Sequence, residues 1–331
     1  MPATIRLALA LLFATSFTAP VLAAPRVVAT IKPIHSIASN VMAGIAEPEL
    51  LLDAAVSEHT AQLTPSQVEA MQNADLIMVV GDNLESFLAK ALKNPDIARK
   101  KLMEAAELPG ITTLPVRSGD LWESHDHEGE EDAAHTDHAE DHAEDHAEDH
   151  DHDHDHGGAD PHIWMDPGNA KVIASELAKA LSEIDAENAA KYEANARAFA
   201  ASLDALSTEI TAAVAPVRER RYIVFHDAYQ YFEARFGMSP AGSITINPEV
   251  MPGARRIKEI HDRIVATNAV CVFAEPQFES GYVDTVIEGT KARPAVLDGL
   301  GAREPKGPQA YAGMMRNFVT ALTSCLATRD N

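Results

Sequence analysis

Basic charge is what this 331-residue chain has least to spare: 27 Lys and Arg stand against 50 Asp and Glu, for a formal net charge of −23. The cations gather into no stripe. That excludes nucleic acid and anionic membrane surfaces as partners. Cysteine is scarce too, with only Cys271 and Cys325 present, so the chain holds either one disulfide or two buried thiols. No HExxH-type helix occurs, which removes the familiar metallopeptidase arrangement. No long apolar run follows the N-terminal region. The run there, Leu7 to Phe17, is shorter than the ~20 residues that span a bilayer.

That short run reads as a leader. Arg6 precedes it, and Val21-Leu22-Ala23 forms a small-residue cleavage site, so residues 1–23 are expected to be a signal peptide. No cysteine lies near the cut, which excludes lipid attachment there. The product is expected to be exported and soluble. An oxidising compartment favours the disulfide over the free thiols.

Beyond the leader the chain alternates short apolar runs with helical patterns. "RVVATI" (26–31), "ELLLDAAV" (49–56), "DLIMVVG" (75–81) and "ITTLPV" (111–116) read as strands. Helices are expected over 36–42, 65–73 and 84–92, the last continuing to 106. The second half repeats the pattern. Strands are expected at 222–226, 243–246, 269–276 and 294–298, and helices at 228–236, 254–268, 281–290 and 309–327. Such alternation predicts an α/β protein of two lobes, each a mainly parallel sheet with helices on both faces. Between the lobes, 169–184 reads as a helix. Residues 188–214 carry no Gly or Pro and read as one long helix of roughly 40 Å. The expected division is residues 24–185 for the first lobe, 186–217 for the linking helix and 218–331 for the second lobe.

One segment interrupts this plan. Between Gly119 and Pro161 lie eighteen Asp and Glu, ten His and no Lys or Arg. That segment holds −18 of the −23, which leaves about −5 for the rest. Residues 119–159 have almost no large apolar side chain after Trp122 and are expected to be disordered. His138, His142, His146 and His150 repeat every four residues, and His152, His154 and His156 every two. Acid interleaved with imidazole points to metal cations, held weakly at many overlapping places.

A tight site needs ligands converging from rigid elements. Candidates are therefore lone histidines at strand ends, where α/β lobes place ligands. His59 follows the second strand in "AVSEHTAQ". His162 stands in "DPHIWMDP" before a helix, and His226 ends "YIVFH". Asp298 ends "PAVLD" as a fourth candidate, with Glu58 as the alternative. Three imidazoles with a carboxylate or water suit tetrahedral Zn²⁺. His35 and His261 read as ordinary polar residues. Glu275, in "FAEPQF", fits two roles equally: orienting His226, or forming a structural ion pair.

At these residues the chain resembles the metal-binding receptors of ABC importers, the group with a rigid linking helix, and within it the zinc-specific ZnuA-like periplasmic proteins. The stretches that carry the resemblance are "SEHTAQLTPSQVEAMQNADLIMVVG", "DPHIWMDP", "FHDAYQYFEARFG", "CVFAEPQF" and "VLDGLG". They span nearly the whole mature chain. The resemblance implies a monomeric periplasmic receptor that binds Zn²⁺ as transported ligand through His59, His162 and His226. Asp298, Glu58 or water would complete the shell. It implies a partner permease in the inner membrane, exchange with periplasmic zinc chaperones, a Cys271–Cys325 disulfide and no enzymatic chemistry. Manganese-type relatives carry Glu at the position of His226. One departure is Gly299, where the family pattern leads one to expect proline.

Three other functions are weighed against this one. A zinc hydrolase would need an open coordination position and a general base, for which only Glu58 or Glu275 is at hand. A periplasmic metal buffer would make the acidic segment the functional part. A related adhesin would need surface display, which the missing lipid cysteine argues against.

Overall fold

The computed structural model describes residues 23–117, 122, 158–245, 248, 252–278 and 281–327. Residues 1–22 of the expected leader and the acidic segment's His138, His142, His146, His150, His152, His154 and His156 lie outside those residues.

Two parallel four-stranded sheets share one topology. The first contains β1 (Val27–Ala29), β2 (Glu49–Leu50), β3 (Leu76–Val79) and β4 (Lys101–Glu104), in the order β2-β1-β3-β4. The second contains β5 (Tyr222–His226), β6 (Gly242–Thr245), β7 (Cys271–Ala274) and β8 (Arg293–Val296), in the order β6-β5-β7-β8. In each, the chain leaves the first strand to one side and returns on the other. This creates a switch point between β1 and β3 and another between β5 and β7, the crevice where such sheets place ligands.

The helices begin where the sequence supplies caps. α1 (Lys32–Val41) has Pro33 in its first turn. α2 (Pro65–Asn73) opens on a reciprocal pairing of Thr64 and Gln67, each side chain bonding the other's backbone N–H. α3 (Ala89–Leu92) and α4 (Pro95–Ala98) are single turns. α5 (Pro167–Ile184) follows Asp166, whose carboxylate accepts from Gly168 N at 2.6 Å. α6 (Ala189–Val214), α7 (Gln230–Phe236), α8 (Ala254–Thr267), α9 (Gly281–Ile287) and α10 (Ala310–Leu326) complete the chain.

One expected strand is displaced. "ITTLPV" forms none; Pro115 makes a single antiparallel bridge to Ala159. The fourth strand is Lys101–Glu104, inside the expected 84–106 helix. Asn94-Pro95 breaks that helix, with Asn94 capping a one-turn restart. Leu102 and Met103 then pair with Ile77 and Met78. Pairing with β3, rather than local propensity, decides their conformation.

Side chains alternate between two cores along every central strand. Val27, Ala29, Leu76, Met78, Tyr222, Val224, Cys271 and Phe273 enter one cluster, joined by residues of α1, α5, α6 and α10. Val28, Ile77 and Val79 face a separate cluster under α2 to α4. Ile223, Phe225 and Val272 face a third, under α8 and α9. The inner faces of both sheets therefore share one continuous apolar core. Swinging the lobes apart would expose it to water, a cost that opposes such a motion.

The helical stretch Ala186–Val217 links the lobes and is long and apolar enough to cross a membrane by length and composition. The sequence reading expected no such segment. Much of the apolarity is alanine. Its bulky residues Tyr192, Phe199, Leu203, Leu206, Ile210 and Val214 form one buried stripe. Asn195 Nδ2 donates to Val41 O at 2.9 Å, and Glu209 pairs with Arg316 at 2.9 Å, so the helix is tethered at both ends.

Cys271 and Cys325 form a disulfide between β7 and α10, 54 residues apart in sequence. The double substitution C271A/C325A is expected to lower unfolding stability by ~2–4 kcal/mol in urea titrations. Metal affinity should stay unchanged, because the bridge enters β7 at the end away from Glu275. A loss of affinity as large as the loss of stability would contradict that separation.

Candidate metal centre

Four side chains reach one point from different elements. Glu58 and His59 lie in the loop after β2, where Ser57 Oγ accepts from His59 N at 3.2 Å. His162 precedes the 3-10 turn Ile163–Met165 that leads into α5. His226 is the last residue of β5, beside the switch point with β7. One ligand atom from each of the four lies within 4.8 Å of every other. The three imidazole rings form a nearly even triangle, with centroids 5.6, 5.6 and 5.2 Å apart.

The facing atoms are defined by what the other ring nitrogens do. His162 Nδ1 lies 2.7 Å from Asp160 Oδ1, and His226 Nδ1 lies 2.7 Å from Glu275 Oε1. Each carboxylate also accepts from the backbone N–H of its own histidine, at 2.9 and 3.3 Å respectively. A proton held on Nδ1 by a carboxylate leaves Nε2 bare. The two Nε2 atoms, both bare when the rings are neutral, stand 3.3 Å apart. Two metal–nitrogen bonds of ~2.0–2.1 Å at a tetrahedral angle span about 3.3 Å. Among the described residues, His59 Nε2 is buried with no hydrogen-bond partner, and it lies 3.9 Å from Glu58 Oε1. An orphaned buried nitrogen beside two others is costly unless a cation meets all three.

Burial sets the charge state. Desolvation, reinforced by the neighbouring imidazoles, pushes His59 down to about 2 and His162 down to about 3, so both stay neutral and ready to bind. The His226 pKa is raised instead: although burial disfavours its charge, Glu275 and then Glu58 favour it. Desolvation pushes Glu58 up to about 7, and Asp160 up to about 6.

Of the expected ligands, His59, His162 and His226 converge, joined by Glu58 rather than by Asp298. Asp298 lies beyond β8; its Oδ2 accepts from Arg303 N at 3.4 Å, while its Oδ1 is buried without a partner. Glu275 Oε1 sits 2.7 Å from His226 Nδ1, where an orienting group would stand. His35 is buried and satisfied by Pro48 O at 3.0 Å, and His261 meets Glu288 O at 3.1 Å. Gly299 also finds a reason: a Cβ there would lie 3.0 Å from the Tyr229 ring. Sequence reasoning missed Asp160. Its signal was the spacing in Asp160-Pro161-His162, where an acid two residues back can reach the imidazole.

Comparison with known proteins identifies the family. The family model described as zinc-uptake complex component A, periplasmic (ZnuA) matches residues 27–325. The chain is 46% identical over 326 residues to the high-affinity zinc uptake system protein ZnuA of Brucella suis, covering 96% of this chain and 97% of that protein. It is 38% identical to the protein so named in Yersinia pestis, covering 97% and 96%. Among solved structures, a crystal structure of ZnuA matches with TM-score 0.71 at 23% identity, covering 92% of this chain and 100% of that one. The laminin-binding adhesin Lmb of Streptococcus agalactiae, in a mutant structure, matches with TM-score 0.71 at 23% identity over 91% and 99%. These structural likenesses speak for the fold.

The charge states generate a pH prediction. His59 and His162 have lost their protons well above their depressed values, so a divalent cation displaces none from them at neutral pH. Glu58, raised to about 7, carries a proton that must leave, and His226, raised by Glu275 and Glu58, holds a proton on Nε2 more firmly than a free imidazole does. Affinity should therefore fall as pH drops from about 7 to about 5, by between one and two decades per unit. Zinc competition titrations against a chelator measure it. A slope of three decades would show that His59 and His162 keep ordinary values.

Proposed function

The chain belongs to the ZnuA family of periplasmic zinc-uptake components, and from that premise we propose that Glu58, His59, His162 and His226 are the shell in which it captures one Zn²⁺ between its lobes. It is a zinc-binding receptor for high-affinity zinc uptake, the periplasmic component of an ABC import system, with an inner-membrane permease as partner. It is a transport receptor and not an enzyme. The site agrees with that: Glu275 is engaged by His226 and Glu58 stands within the shell, so neither is free to serve as a hydrolase's base.

The observation that carries the assignment is the 3.3 Å between two Nε2 atoms whose Nδ1 partners are fixed carboxylates. Glu58 is the proposed fourth ligand, with Asp298 or water as the alternative. We propose further that residues 1–23 are removed on export and that residues 24–185 and 218–331 act as lobes joined by 186–217. The receptor works as a monomer that periplasmic zinc chaperones can load. The acidic segment with His138, His142, His146, His150, His152, His154 and His156 collects extra ions beside the fixed shell. The competing reading makes that segment a metal buffer and the lobes its scaffold.

Deleting 119–159 separates the two readings. Titration calorimetry is expected to find one tight Zn²⁺ on the shortened protein and fewer weak ones. Absence of any tight ion would favour the buffer. In the full chain, His226→Ala is expected to weaken the tight site by about 100-fold or more, and His146→Ala to leave it nearly unchanged, because a fixed shell has no spare ligand. Glu58→Gln should cost more affinity than Asp298→Asn; the reverse order would move Asp298 into the shell.

A further inference from the structure

A second contact between the lobes stands beside the metal site. Where the chain leaves and re-enters around the acidic segment, it forms a narrow neck. Pro115 bridges Ala159, Val116 N donates to Gly158 O at 3.0 Å, and Asp160 N donates to Leu114 O at 2.8 Å. The neck rests on α7 of the second lobe. The Tyr231 hydroxyl donates to Asp160 O at 2.7 Å and accepts from Leu114 N at 3.0 Å, and Gln230 Nε2 donates to Pro115 O at 3.0 Å. One strand of this neck carries Asp160 and, two residues on, His162.

The other strand ends in Arg117. Its guanidinium donates to Asp227 through Nε at 2.9 Å and through Nη2, and to Glu233 through Nη1 at 2.8 Å. Its Cζ lies 3.6 Å from the ring centroid of Trp122. Asp227 directly follows His226, and Glu233 is fixed by the Tyr222 hydroxyl at 3.0 Å. Both carboxylates are buried. A forked, bidentate guanidinium fixes angle as well as distance, which a lysine would not do.

When both rings are neutral with their protons on Nδ1, as ion binding requires, the two Nε2 atoms do not attract each other, and their 3.3 Å separation is set by what holds the two backbones. We propose that Arg117 is a positioning residue, a latch between neck and second lobe that sets the His162–His226 spacing and thereby the residence time of the ion. The proposal rests on the reading of the cluster as the zinc site. For the ion to leave, the two nitrogens must part. If they part by movement of the neck along α7, the charge-assisted bonds of Arg117 break first. The latch therefore acts on dissociation more than on association.

The test uses the full chain, Zn²⁺ release into excess chelator by stopped flow, and the visible absorption of the Co²⁺-loaded protein. R117Q is expected to speed release by about 10–100-fold, the range for lost groups that orient metal ligands, and to shift the Co²⁺ bands. R117Q also strands two buried carboxylates, so R117M/D227N/E233Q serves as the second variant. Removing all three charges restores thermal stability at the neck but not the angular fix, so this variant is expected to stay fast in release and shifted in spectrum. Wild-type release and an unshifted spectrum in either folded variant overturn the latch. Wild-type protein that holds neither Zn²⁺ nor Co²⁺ would instead overturn the site assignment, and the latch with it.

Discussion

Two imidazole nitrogens held 3.3 Å apart and facing one point is the constraint on which this molecule depends. Left free, the rings would turn away or take up a proton. They cannot turn, because Asp160 and Glu275 hold their opposite edges. Protonation is resisted at His162 and His59 by burial and mutual repulsion. The unfavourable arrangement survives because surrounding packing over-determines it, as is common where a site is built ahead of its ligand. Binding then spends little on ordering, and most of the ligand interaction appears as affinity.

The repeated topology explains how the four groups meet. Each sheet runs in the same order, and each presents its switch point at the strand C-termini. In the second lobe, His226 and Glu275 end the two strands on either side of that point. In the first lobe, the corresponding point is filled by Glu85, which accepts from Val80 N at 2.7 Å and Gly81 N at 3.0 Å and from the Thr30 hydroxyl. The metal-facing groups of that lobe come instead from the loop after β2 and from the segment before α5. The shared core then fixes one sheet against the other. On the side of α1, Lys32 Nζ donates to Gly301 O and Glu304 O at 2.8 Å, and Trp164 Nε1 to Gly299 O at 2.9 Å. The lobes are thus joined on both flanks of the site, by Lys32 and Trp164 on one and by the neck on the other.

Much of this was legible in the sequence, for physical reasons. Continuous apolar runs such as "DLIMVVG" and "YIVFH" announce strands buried on both faces, and His59 and His226 stand where such strands deliver ligands. The 26-residue α6 was readable from its alanine and its lack of Gly and Pro. Lys101–Glu104 was not, because its residues prefer helix and only the neighbouring strand makes them extended. The choice between Glu58 and Asp298 was not either. Both are single acids at the end of a strand or loop, and only the angle between lobes decides which reaches the imidazoles. Glu275 was visible as a candidate because it ends a strand. Arg117 gave no signal: an arginine before an acidic segment reads as a solvated charge until α7 is packed against it.

The charge of the centre bears on which ion it holds. Counted by ligand atoms, the centre offers three imidazole nitrogens and one carboxylate oxygen. Two of the imidazoles are kept neutral, and the carboxylate is raised to about 7, so without an ion it carries a proton much of the time near neutrality. Such a set offers hard cations little negative charge and few oxygens, and Mg²⁺ or Ca²⁺ would have to shed water for poor replacements. An ion that binds nitrogen well and is content with four ligands gains from every atom presented. The other two carboxyl groups nearby, Asp160 and Glu275, are turned to the far edges of the rings. There they raise the basicity of Nε2 instead of competing for the ion. In the proposed shell, selectivity follows from where the acids are placed: one toward the metal position, two behind the histidines. Most of the chain's excess negative charge lies in the sequence between Gly119 and Pro161, apart from Glu58 of the proposed shell.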